Sequence, residues 1–372
     1  MEFSVKKFDL LRELTLTQGV VEKKTTIPIL SNLLIEGKGD RIWVTATDLE
    51  LSIKSVFPAK IKKDGAGTVP AKRLFEIVRS LPDAEIRCKF LENHWMELRC
   101  ERSSFRLVGM AKDNFPTLPA IPHRQVSIPA ALLQTMIGKS IFAISAEESR
   151  YTLSGALLLI KPESIIMVAT DGHRLTHIET QHAFAGVNSE IKALIPKKAM
   201  NEIRTLLAEA GEKATVELAQ DESHLFFQVG ERLLIARQLT GQFPNYEAVL
   251  PRENTKIVVL ERDEITAAVR RVSLVADQRS HAIRLALDKD KVEVSSSSSE
   301  YGEAKEELAP KSEYKAEALQ IGFNAQYLLE FLAAAAEGPI NFEFKDEQSA
   351  GQLRPLNEGA FKYRYVVMPM RI

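Results

Sequence analysis

The chain has 372 residues, of which 45% are hydrophobic and 27% charged, a balance typical of a folded globular protein rather than a disordered chain. Its length predicts two or three domains. Its net charge of −1 excludes a protein that is basic throughout, so any contact with nucleic acid must come from a local positive surface. The lack of a secretory leader or long apolar run predicts a cytosolic, reducing setting, in which Cys88 and Cys100 are buried thiols, with a disulfide between them as the alternative.

The opening third predicts strands on either side of two helices. Phe8, Leu11 and Leu14 recur at helical spacing after a short strand, so a first helix is expected there. Apolar and polar residues alternate over 49–53, which is typical of a half-buried strand. The glycines within 62–70 predict a turn, and a second amphipathic helix is expected over 69–82.

The middle third repeats the opening third. The tripeptide Ala-Thr-Asp begins at Ala46 and again at Ala169, 123 residues later. A proline ahead of the second helix recurs after 126 residues, and a Phe-Pro pair recurs after 128. The last third follows the same order of strands and helices more loosely. A period near 125 therefore predicts three copies of one α+β unit, which divide the chain at 1–122, 123–251 and 252–372.

The stretch MVATDGHRLTH, at 167–177, has the charged and histidine residues of an enzyme active site. If His173 and His177 lie on a strand, about 13 Å separates them, which is too far for one metal ion. The sequence has no Gly-x-Ser-x-Gly elbow, Walker loop or Gly-x-Gly-x-x-Gly motif. Asp171 recurs as Asp48 in the first repeat, so we expect both carboxylates to cap a turn at the end of a strand. The residues that occur only in the middle copy are then additions to the surface of that unit. Such additions favour a binding site over a catalytic one.

Positive charge concentrates on the predicted helices. We take six helical windows: 4–24, 69–82, 129–144, 195–208, 261–281 and 322–338. Together they carry sixteen Lys and Arg against eleven Asp and Glu, in a chain whose net charge is −1. A positive surface on an acidic body suits binding to a phosphate backbone without base reading. Ordinary solvated helix faces are the alternative explanation.

Four further motifs are distinctive: TIPILSNLLIE at 26–36, VATDGHRL at 168–175, FPNYEAVLP at 243–251 and YVVMPMRI at 365–372. With these motifs and its period near 125, the sequence resembles the bacterial sliding clamps, the beta subunits of DNA polymerase III, over its whole length.

This resemblance implies an α+β chain of three similar domains of the DNA clamp fold. Helices would line the inside of a ring, antiparallel sheets would lie outside, and two chains would close the ring head-to-tail. Such a ring holds duplex DNA topologically and raises the effective concentration of a tethered polymerase. No cofactor, metal or catalytic residue is implied, because the polymerase activity belongs to a partner subunit.

The resemblance also implies partners and a location. The partners are a second copy of the chain, double-stranded DNA without sequence preference, the DNA polymerase III alpha subunit and other polymerases, the clamp loader delta subunit, and other proteins with a clamp-binding motif. No membrane is involved, and the location is cytoplasmic and nucleoid-associated.

Site residues follow from the resemblance, position by position. The peptide-binding groove corresponds to Arg150, Leu153, Thr170, Gly172, His173, Arg174, Leu175, Pro244, Val249, Asn324, Tyr327, Val366, Val367, Met368, Pro369, Met370 and Arg371. The DNA-facing residues correspond to Lys24, Arg73, Lys197 and Lys198, and the dimer interface to Phe105, Leu107, Leu274 and Val275. Methionines and aliphatic residues would form a soft floor, with His173, Arg150 and Arg174 at its rim.

Some positions depart from the family pattern. Ala248 stands where the family's best-known member has arginine, and Ser280 where it has an aromatic residue, while Gln348 and Ala350 lie in a divergent loop. We therefore expect a shallower groove on that side and a different peptide preference.

Two other functions fit parts of the sequence. A monomeric three-module scaffold would bind protein partners without encircling DNA. An enzyme, such as a hydrolase, would use Asp171 and His173, although Asp48 has no neighbouring histidine in the first repeat.

Overall fold

The computed structural model describes residues 1–22, 26–147, 149–211, 213–312 and 314–371. The first third contains β1 (Glu2–Lys6), α1 (Lys7–Thr17), β2 (Asn32–Lys38), β3 (Arg41–Thr47), β4 (Leu51–Pro58), β5 (Lys60–Lys63), β6 (Gly65–Pro70), α2 (Ala71–Ser80), β7 (Glu85–Phe90), β8 (Trp95–Cys100) and β9 (Ser103–Val108). The middle third contains β10 (Val126–Pro129), α3 (Ala130–Gly138), β11 (Gly155–Lys161), β12 (Ser164–Thr170), β13 (Arg174–Gln181), β14 (Ile191–Pro196), α4 (Lys197–Ala210), β15 (Thr215–Gln220), β16 (His224–Val229) and β17 (Arg232–Arg237). The last third contains β18 (Lys256–Glu261), α5 (Arg262–Val272), β19 (Ala282–Leu287), β20 (Val292–Ser298), β21 (Gly302–Leu308), β22 (Leu319–Asn324), α6 (Ala325–Ala334), β23 (Pro339–Phe344), β24 (Gly351–Pro355) and β25 (Lys362–Val367).

The order of elements confirms the repeat. Each third opens with a strand and a helix, continues with strands, and has a second helix followed by three more strands. The strand pairs are antiparallel throughout the described residues. Antiparallel sheets with segregated helices make the chain α+β, as predicted. In the described part of the chain, no helix combines the length and apolar character that crossing a membrane requires.

The sheets do not stop at the ends of the repeats. One eight-stranded sheet has the order β10-β15-β16-β17-β4-β3-β2-β6, so β17 of the second repeat pairs with β4 of the first. The other has the order β14-β11-β12-β13-β25-β24-β23-β18, so β13 of the second repeat pairs with β25 of the third. The chain accordingly divides into two compact units, 1–134 with 198–238, and 135–197 with 239–372. The second repeat is shared between them.

Two smaller sheets lie at the start and in the last third of the chain. The first has the order β5-β1-β7-β8-β9 and belongs to the first unit, whereas the second has the order β21-β20-β19-β22 and belongs to the second unit. In the described residues, β9 ends one sheet and β21 ends the other. Each strand therefore presents one row of backbone N–H and C=O groups that pairs with no strand in the described part of the chain.

The first helix buries a different face from the predicted one. Leu14 is buried, but Phe8 is 66% exposed and Leu10 is buried instead. Both sets recur at helical spacing, and the observed set also turns Glu13 inward. Phe8 lies under the guanidinium of Arg12, whose carbon is 5.8 Å from the ring centroid.

The glycine-rich stretch at 62–70 is less of a turn than predicted. Most of it is β6, which pairs with β2 over the whole of Gly65–Pro70. The small residue at Gly67 makes room for an aromatic ring, because a Cβ there would lie 2.2 Å from the Phe90 side chain. The glycine therefore serves close packing inside a sheet.

A buried ion pair connects the first two repeats within the first unit. Glu13 of α1 is 1% exposed and receives two hydrogen bonds from Arg232 of β17, at 2.9 and 2.7 Å. This bidentate contact raises the pKa of Arg232.

Replacing Arg232 with alanine should lower the free energy of unfolding by about 1–3 kcal/mol, because buried Glu13 loses the donor to its Oε2 and keeps only Arg12, whose Nε lies 2.9 Å from Oε1. Urea unfolding would measure the change. Arg237→Ala is the matched control, since its 3.4 Å contact with Glu50 is more than half exposed at both side chains and should be worth less than about 1 kcal/mol. Equal effects of the two substitutions would contradict the prediction.

Candidate functional site

The hairpin turn between β12 and β13 is built by its own side chains. Oδ1 of Asp171 accepts the backbone N–H of His173 at 2.9 Å and that of Arg174 at 3.0 Å. Gly172 has a φ of +90°, a region that favours glycine. Asp48 makes the equivalent bonds to the second and third residues after it in the first repeat. The predicted role of both aspartates as turn caps is confirmed.

Arg150 supports this turn from a neighbouring loop. Its Nη1 donates to the backbone oxygen of Asp171 at 2.7 Å, and its Nε lies 3.0 Å from Glu147. A Cβ on Gly172 would lie 2.7 Å from the same Nη1, so a larger residue there would push the guanidinium away. Arg150 and Gly172 therefore fit one another closely. The next residue, His173, is exposed to solvent.

Arg174 is buried, although it was expected at the rim. It is 8% exposed, and its Nε donates to Asp171 at 3.0 Å while Nη2 donates to the backbone oxygen of Phe142 at 2.7 Å. Its Nη1 pairs with Glu330 of α6. The guanidinium carbon lies 4.2 Å from the ring centroid of Tyr327. Because every guanidinium nitrogen has an internal partner, Arg174 fixes the turn against α6 rather than offering free donors to a ligand.

An aromatic layer supports Arg174 from below. The ring of Tyr365 stacks on Phe331 with a centroid distance of 4.8 Å, and its hydroxyl donates to the backbone oxygen of Tyr327 at 2.9 Å. Asn324 caps α6, because its side-chain oxygen accepts the N–H of Gln326 at 2.8 Å. These contacts fix the position of α6, and with it Tyr327, next to Arg174.

The C-terminal tail joins the turn to the last small sheet. The N–H of Met368 donates to the backbone oxygen of His173 at 2.8 Å, and the N–H of Met370 donates to that of Gly322 in β22 at 2.8 Å. Pro369 lies between them and has no N–H to leave unpaired. The tail is therefore held at two points, with Met368 directly beside the His173 turn.

An apolar cluster lies beside the turn and the tail. Its buried members are Leu157, Leu159, Ile166, Val168, Leu175, Leu194, Phe243 and Val366, and Leu153, Leu239, Tyr246, Leu250 and Ala350 pack against them. Leu175 and Val366 pair directly across β13 and β25, so the ladder that joins the second and third repeats also forms the floor of the site. Val249 and Met368 are each 44% exposed. We call the surface around Leu153, Leu175, Val249, Val366 and Met368 the tail groove.

One open cleft shares Val249 with the tail groove, and a second is lined by the tail residues that follow Met368. One, of about 550 Å³, is lined by Ala248, Val249, Leu250, Pro251, Arg252, Glu253, Asn254, Lys345, Ser349 and Ala350. The other, of about 520 Å³, is lined by Arg284, Gln320, Ile321, Gly322, Glu347, Gln348, Pro369, Met370 and Arg371. Both volumes suit ligand side chains. The divergent positions Ala248 and Ala350 both line the first cleft, where their small side chains leave room. Pro244 lines a third, smaller cleft with Phe243.

The residues expected to face DNA lie on helices where the structure describes them. Arg73 is exposed on α2 and contacts Glu76 at 3.0 Å, and Lys198 at the start of α4 pairs with Asp48. Lys197 is half-buried, and its Nζ lies 3.4 Å from a backbone oxygen. Lys24 lies outside the described residues.

The residues expected at a dimer interface lie at the surface. Phe105 and Leu107 are half-buried on the edge strand β9. Leu274, in the short turn after α5, is 79% exposed, and Val275 beside it is half-buried. A large aliphatic side chain with that exposure is a candidate contact for another chain.

Several residues of the site were not expected from the sequence. Phe142 and Glu330 complete the shell around Arg174, and Phe243 and Tyr246 close the apolar cluster from the side. Glu330 had a detectable signal, because it is the one charged residue in the otherwise uncharged helix Ala325–Ala334. The backbone oxygen of Phe142 has no such signal, since any residue type would supply it.

His177 lies on the same face of β13 as Leu175. It is 6% exposed, pairs across β12 with Val168 of the apolar cluster, and its ring lies 5.7 Å from that of Tyr246. Among the described residues, its Nδ1 has no hydrogen-bond partner. Burial lowers the pKa of His177, and Arg364, opposite it on β25, acts in the same direction.

Because the folded-state pKa is lowered, unfolded chains take up a proton at His177 before folded chains do as the pH falls. Stability should therefore decrease as the pH falls through about 6.5, the usual histidine value. We expect urea unfolding at pH 7.5 and 5.5 to show a smaller loss in His177→Leu than in the unsubstituted chain. An equal loss in both proteins would contradict the prediction.

Comparison with known families matches nearly the whole chain to three successive domains of one protein. Residues 1–119 match the N-terminal domain of the DNA polymerase III beta subunit, residues 127–245 its central domain and residues 247–371 its C-terminal domain. The beta sliding clamp of Caulobacter vibrioides is 34% identical over 380 residues, which covers 100% of both chains. That of Pseudomonas aeruginosa is 32% identical over 374 residues, again covering 100% of both.

Solved structures agree over the same length. The sliding clamp of Pseudomonas aeruginosa, in a crystal structure bound to griselimycin, superimposes with a TM-score of 0.92 at 31% identity and covers 100% of both chains. The DNA polymerase sliding clamp of Bacillus subtilis gives a TM-score of 0.93 at 26% identity, covering 100% of this chain and 99% of that one.

Proposed function

Because the chain belongs to the family of DNA polymerase III beta subunits, the beta sliding clamps, we propose that it is a DNA sliding clamp that works without catalysis. Two chains close into a ring around duplex DNA, and the tail groove tethers the replicative polymerase and other clients. The observation that carries the tethering role is the tail groove itself, a preformed apolar surface fixed by the Asp171 turn, Arg174 and the tail. The three repeats, 1–122, 123–251 and 252–372, serve as the three clamp domains.

Two sheet edges support closure of the ring. In the head-to-tail arrangement, β9 of one chain pairs with β21 of the other, which satisfies both rows of free backbone groups. Charge favours this pairing, since β9 carries Arg106 and no carboxylate, while β21 carries three glutamates against one lysine. The exposed Leu274 supplies an apolar contact, together with Phe105, Leu107 and Val275 from the same two regions.

Contacts with DNA in such a ring are weak and independent of sequence. The basic residues proposed to face the duplex are Lys24, Arg73, Lys197 and Lys198. Arg73 and Lys198 have ends that reach solvent but also have carboxylate neighbours on the protein. Internal partners and mobile ions both compete with phosphates for these cations, so the ring keeps its hold by topology and is free to slide.

The tail groove binds short client peptides. Exposed Met368 and Val249 offer an apolar surface that fits several side chains, and buried Leu175 and Val366 support it from within. Exposed His173 can bond to polar peptide groups at the rim. The clients are the polymerase alpha subunit, other polymerases, the clamp loader delta subunit and other proteins with the same short motif. These partners work on the chromosome, so the location is cytoplasmic and nucleoid-associated.

The geometry around Asp171 weighs against an enzyme. Its Oδ1 is taken by two backbone N–H groups and its Oδ2 by Arg174, so neither oxygen is free to act on a substrate. The equivalent Asp48 has the same turn role without a histidine beside it. The residues of the 167–177 stretch therefore shape a binding surface.

Retention on DNA tests the proposal. A labelled clamp loaded on a closed circular duplex should stay bound through gel filtration and should run off once the circle is cut, because a linear molecule has ends. A protein that binds DNA only by contact would remain equally on both forms, and that outcome would refute encirclement. Light scattering provides a second criterion, since a stable particle near twice 41.6 kDa separates the ring from a monomeric scaffold.

A further inference from the structure

The sheet formed by β5, β1, β7, β8 and β9 is strongly positive. All residues of these five strands are described, and their charged side chains are exposed or half-buried. They comprise eight cations, Lys6, Lys60, Lys62, Lys63, Arg87, Lys89, Arg99 and Arg106, against three carboxylates, Glu2, Glu85 and Glu97. The other side of the sheet is buried and apolar, with Phe3, Val5, Ile86, Met96 and Leu98. We call the solvent-facing side the basic face.

One row across the basic face contains no acid. By strand register, Lys60 is opposite Ser4, Ser4 is opposite Arg87, Arg87 is opposite Arg99, and Arg99 is opposite Ser104. Neighbouring strands are about 4.8 Å apart. Two arginines directly opposite one another repel, which by itself lowers the stability of the sheet. Such a row is suited to an anion that lies across several strands.

Two carboxylates lie beside the three cations of this row and neutralise it only in part. Glu85 lies 3.8 Å from Arg87 and 3.6 Å from Lys60, distances longer than those of strong charged hydrogen bonds. Glu97 is closer, at 2.9 Å from Arg99, and hydrogen bonding from Arg99 lowers the pKa of that carboxyl. Three acids cannot balance eight bases, so the face keeps a net positive charge in a chain whose net charge is −1.

We propose that the basic face is a second DNA-binding surface, which holds the phosphate backbone of a duplex on the side of the sheet rather than on the helices. A protein partner would favour an apolar centre with few charges. On the basic face, apolar side chains are confined to the end row, where half-buried Trp95 lies opposite exposed Val108. Lysines, arginines and serines in rows, without an apolar centre, instead match phosphate contacts that carry no sequence information.

The test uses a closed minicircle of duplex DNA without a clamp loader, so that DNA cannot thread a closed ring. Binding is measured by the shift of the labelled minicircle at several salt concentrations. The chain should bind in about 50 mM salt, and the double variant Arg87→Ser and Arg99→Ser should bind at least about tenfold more weakly, with a salt slope smaller by about 1.8 for two lost phosphate contacts. It should fold like the parent, because loss of the Arg87–Arg99 repulsion offsets loss of the surface ion pairs that these arginines make with Glu85 and Glu97.

Two control variants show whether the basic face is the surface that binds the minicircle. Arg237→Ser with Arg279→Ser removes two exposed arginines elsewhere and should leave minicircle binding within about twofold. Arg73→Ser with Lys198→Ser removes charges on the helices and should also leave it unchanged. Loader-dependent retention on circular DNA, which tests encirclement, should survive in the Arg87 and Arg99 variant.

Three results would overturn the proposal. They are the absence of minicircle binding at low salt, equal binding by the Arg87 and Arg99 variant, and tighter binding of a poly-glutamate peptide than of DNA at the same face. The last would identify an acidic protein segment as the occupant. None of these results bears on encirclement, which the retention assay judges separately.

Discussion

Replacing Leu274 with aspartate should separate the ring into single chains. The side chain is 79% exposed in one chain, so the substitution leaves the fold intact. In the proposed interface the new carboxylate would be buried without a partner, which costs several kcal/mol at each of two joints. Light scattering at micromolar concentration should give about 41.6 kDa instead of twice that mass. Retention on circular DNA should fall by at least about a hundredfold, since two joints that each lose ~1.4 kcal/mol or more weaken by tenfold apiece.

Leu356→Asp is the matched control for Leu274→Asp. Leu356 is also an exposed leucine, at 45%, but it follows β24 of the eight-stranded sheet, whereas the proposed joint uses β21 of the four-stranded sheet. It should leave both the mass and the retention unchanged. If Leu274→Asp kept the double mass, the proposed interface would be wrong.

Deleting Met368–Ile372 should abolish client binding and leave the dimer. The deletion removes Met368 from the floor and the two backbone hydrogen bonds that attach the tail to His173 and to Gly322. A fluorescent peptide carrying the motif of the host polymerase should lose at least about a hundredfold in affinity, the equivalent of ~2.7 kcal/mol. Stimulation of the polymerase should be lost with it.

A milder variant separates loss of the groove from loss of folding. Met368→Glu keeps the tail but places a charge on the apolar floor, and it should weaken peptide binding by at least about tenfold. Leu356→Glu adds the same charge at another exposed position and should bind the peptide normally. A tail deletion that still stimulated the polymerase fully would show that clients are held elsewhere.

The repeated order of strands and helices was predictable because it rests on local patterns. The Ala-Thr-Asp echo, the second helix after a proline and the period near 125 are visible without any long-range contact. The sheets that cross the repeats were not predictable in the same way. Pairing of β17 with β4, and of β13 with β25, depends on which strand edges meet, and hydrophobic alternation does not specify partners.

The candidate site shows the same difference between local and long-range features. The turn at Asp171 follows from the chemistry of Asp and Gly in sequence, so its cap was predictable. The burial of Arg174 was not, because charge predicts exposure unless partners are known. Those partners, Phe142 and Glu330, come from segments 32 and 156 residues away. Phe8 shows the same limit in the first helix, where two helical faces were compatible with the spacing.

The continuity of each large sheet across a repeat boundary restricts how this protein can evolve by recombination. An exchange of residues 1–122 with a distant relative would give β4 a foreign β17 to pair with, and would separate Glu13 from Arg232. Crossovers at the linkers are therefore tolerated only when both parents share matching strand borders. Inheritance of the gene as an undivided block is the expected outcome.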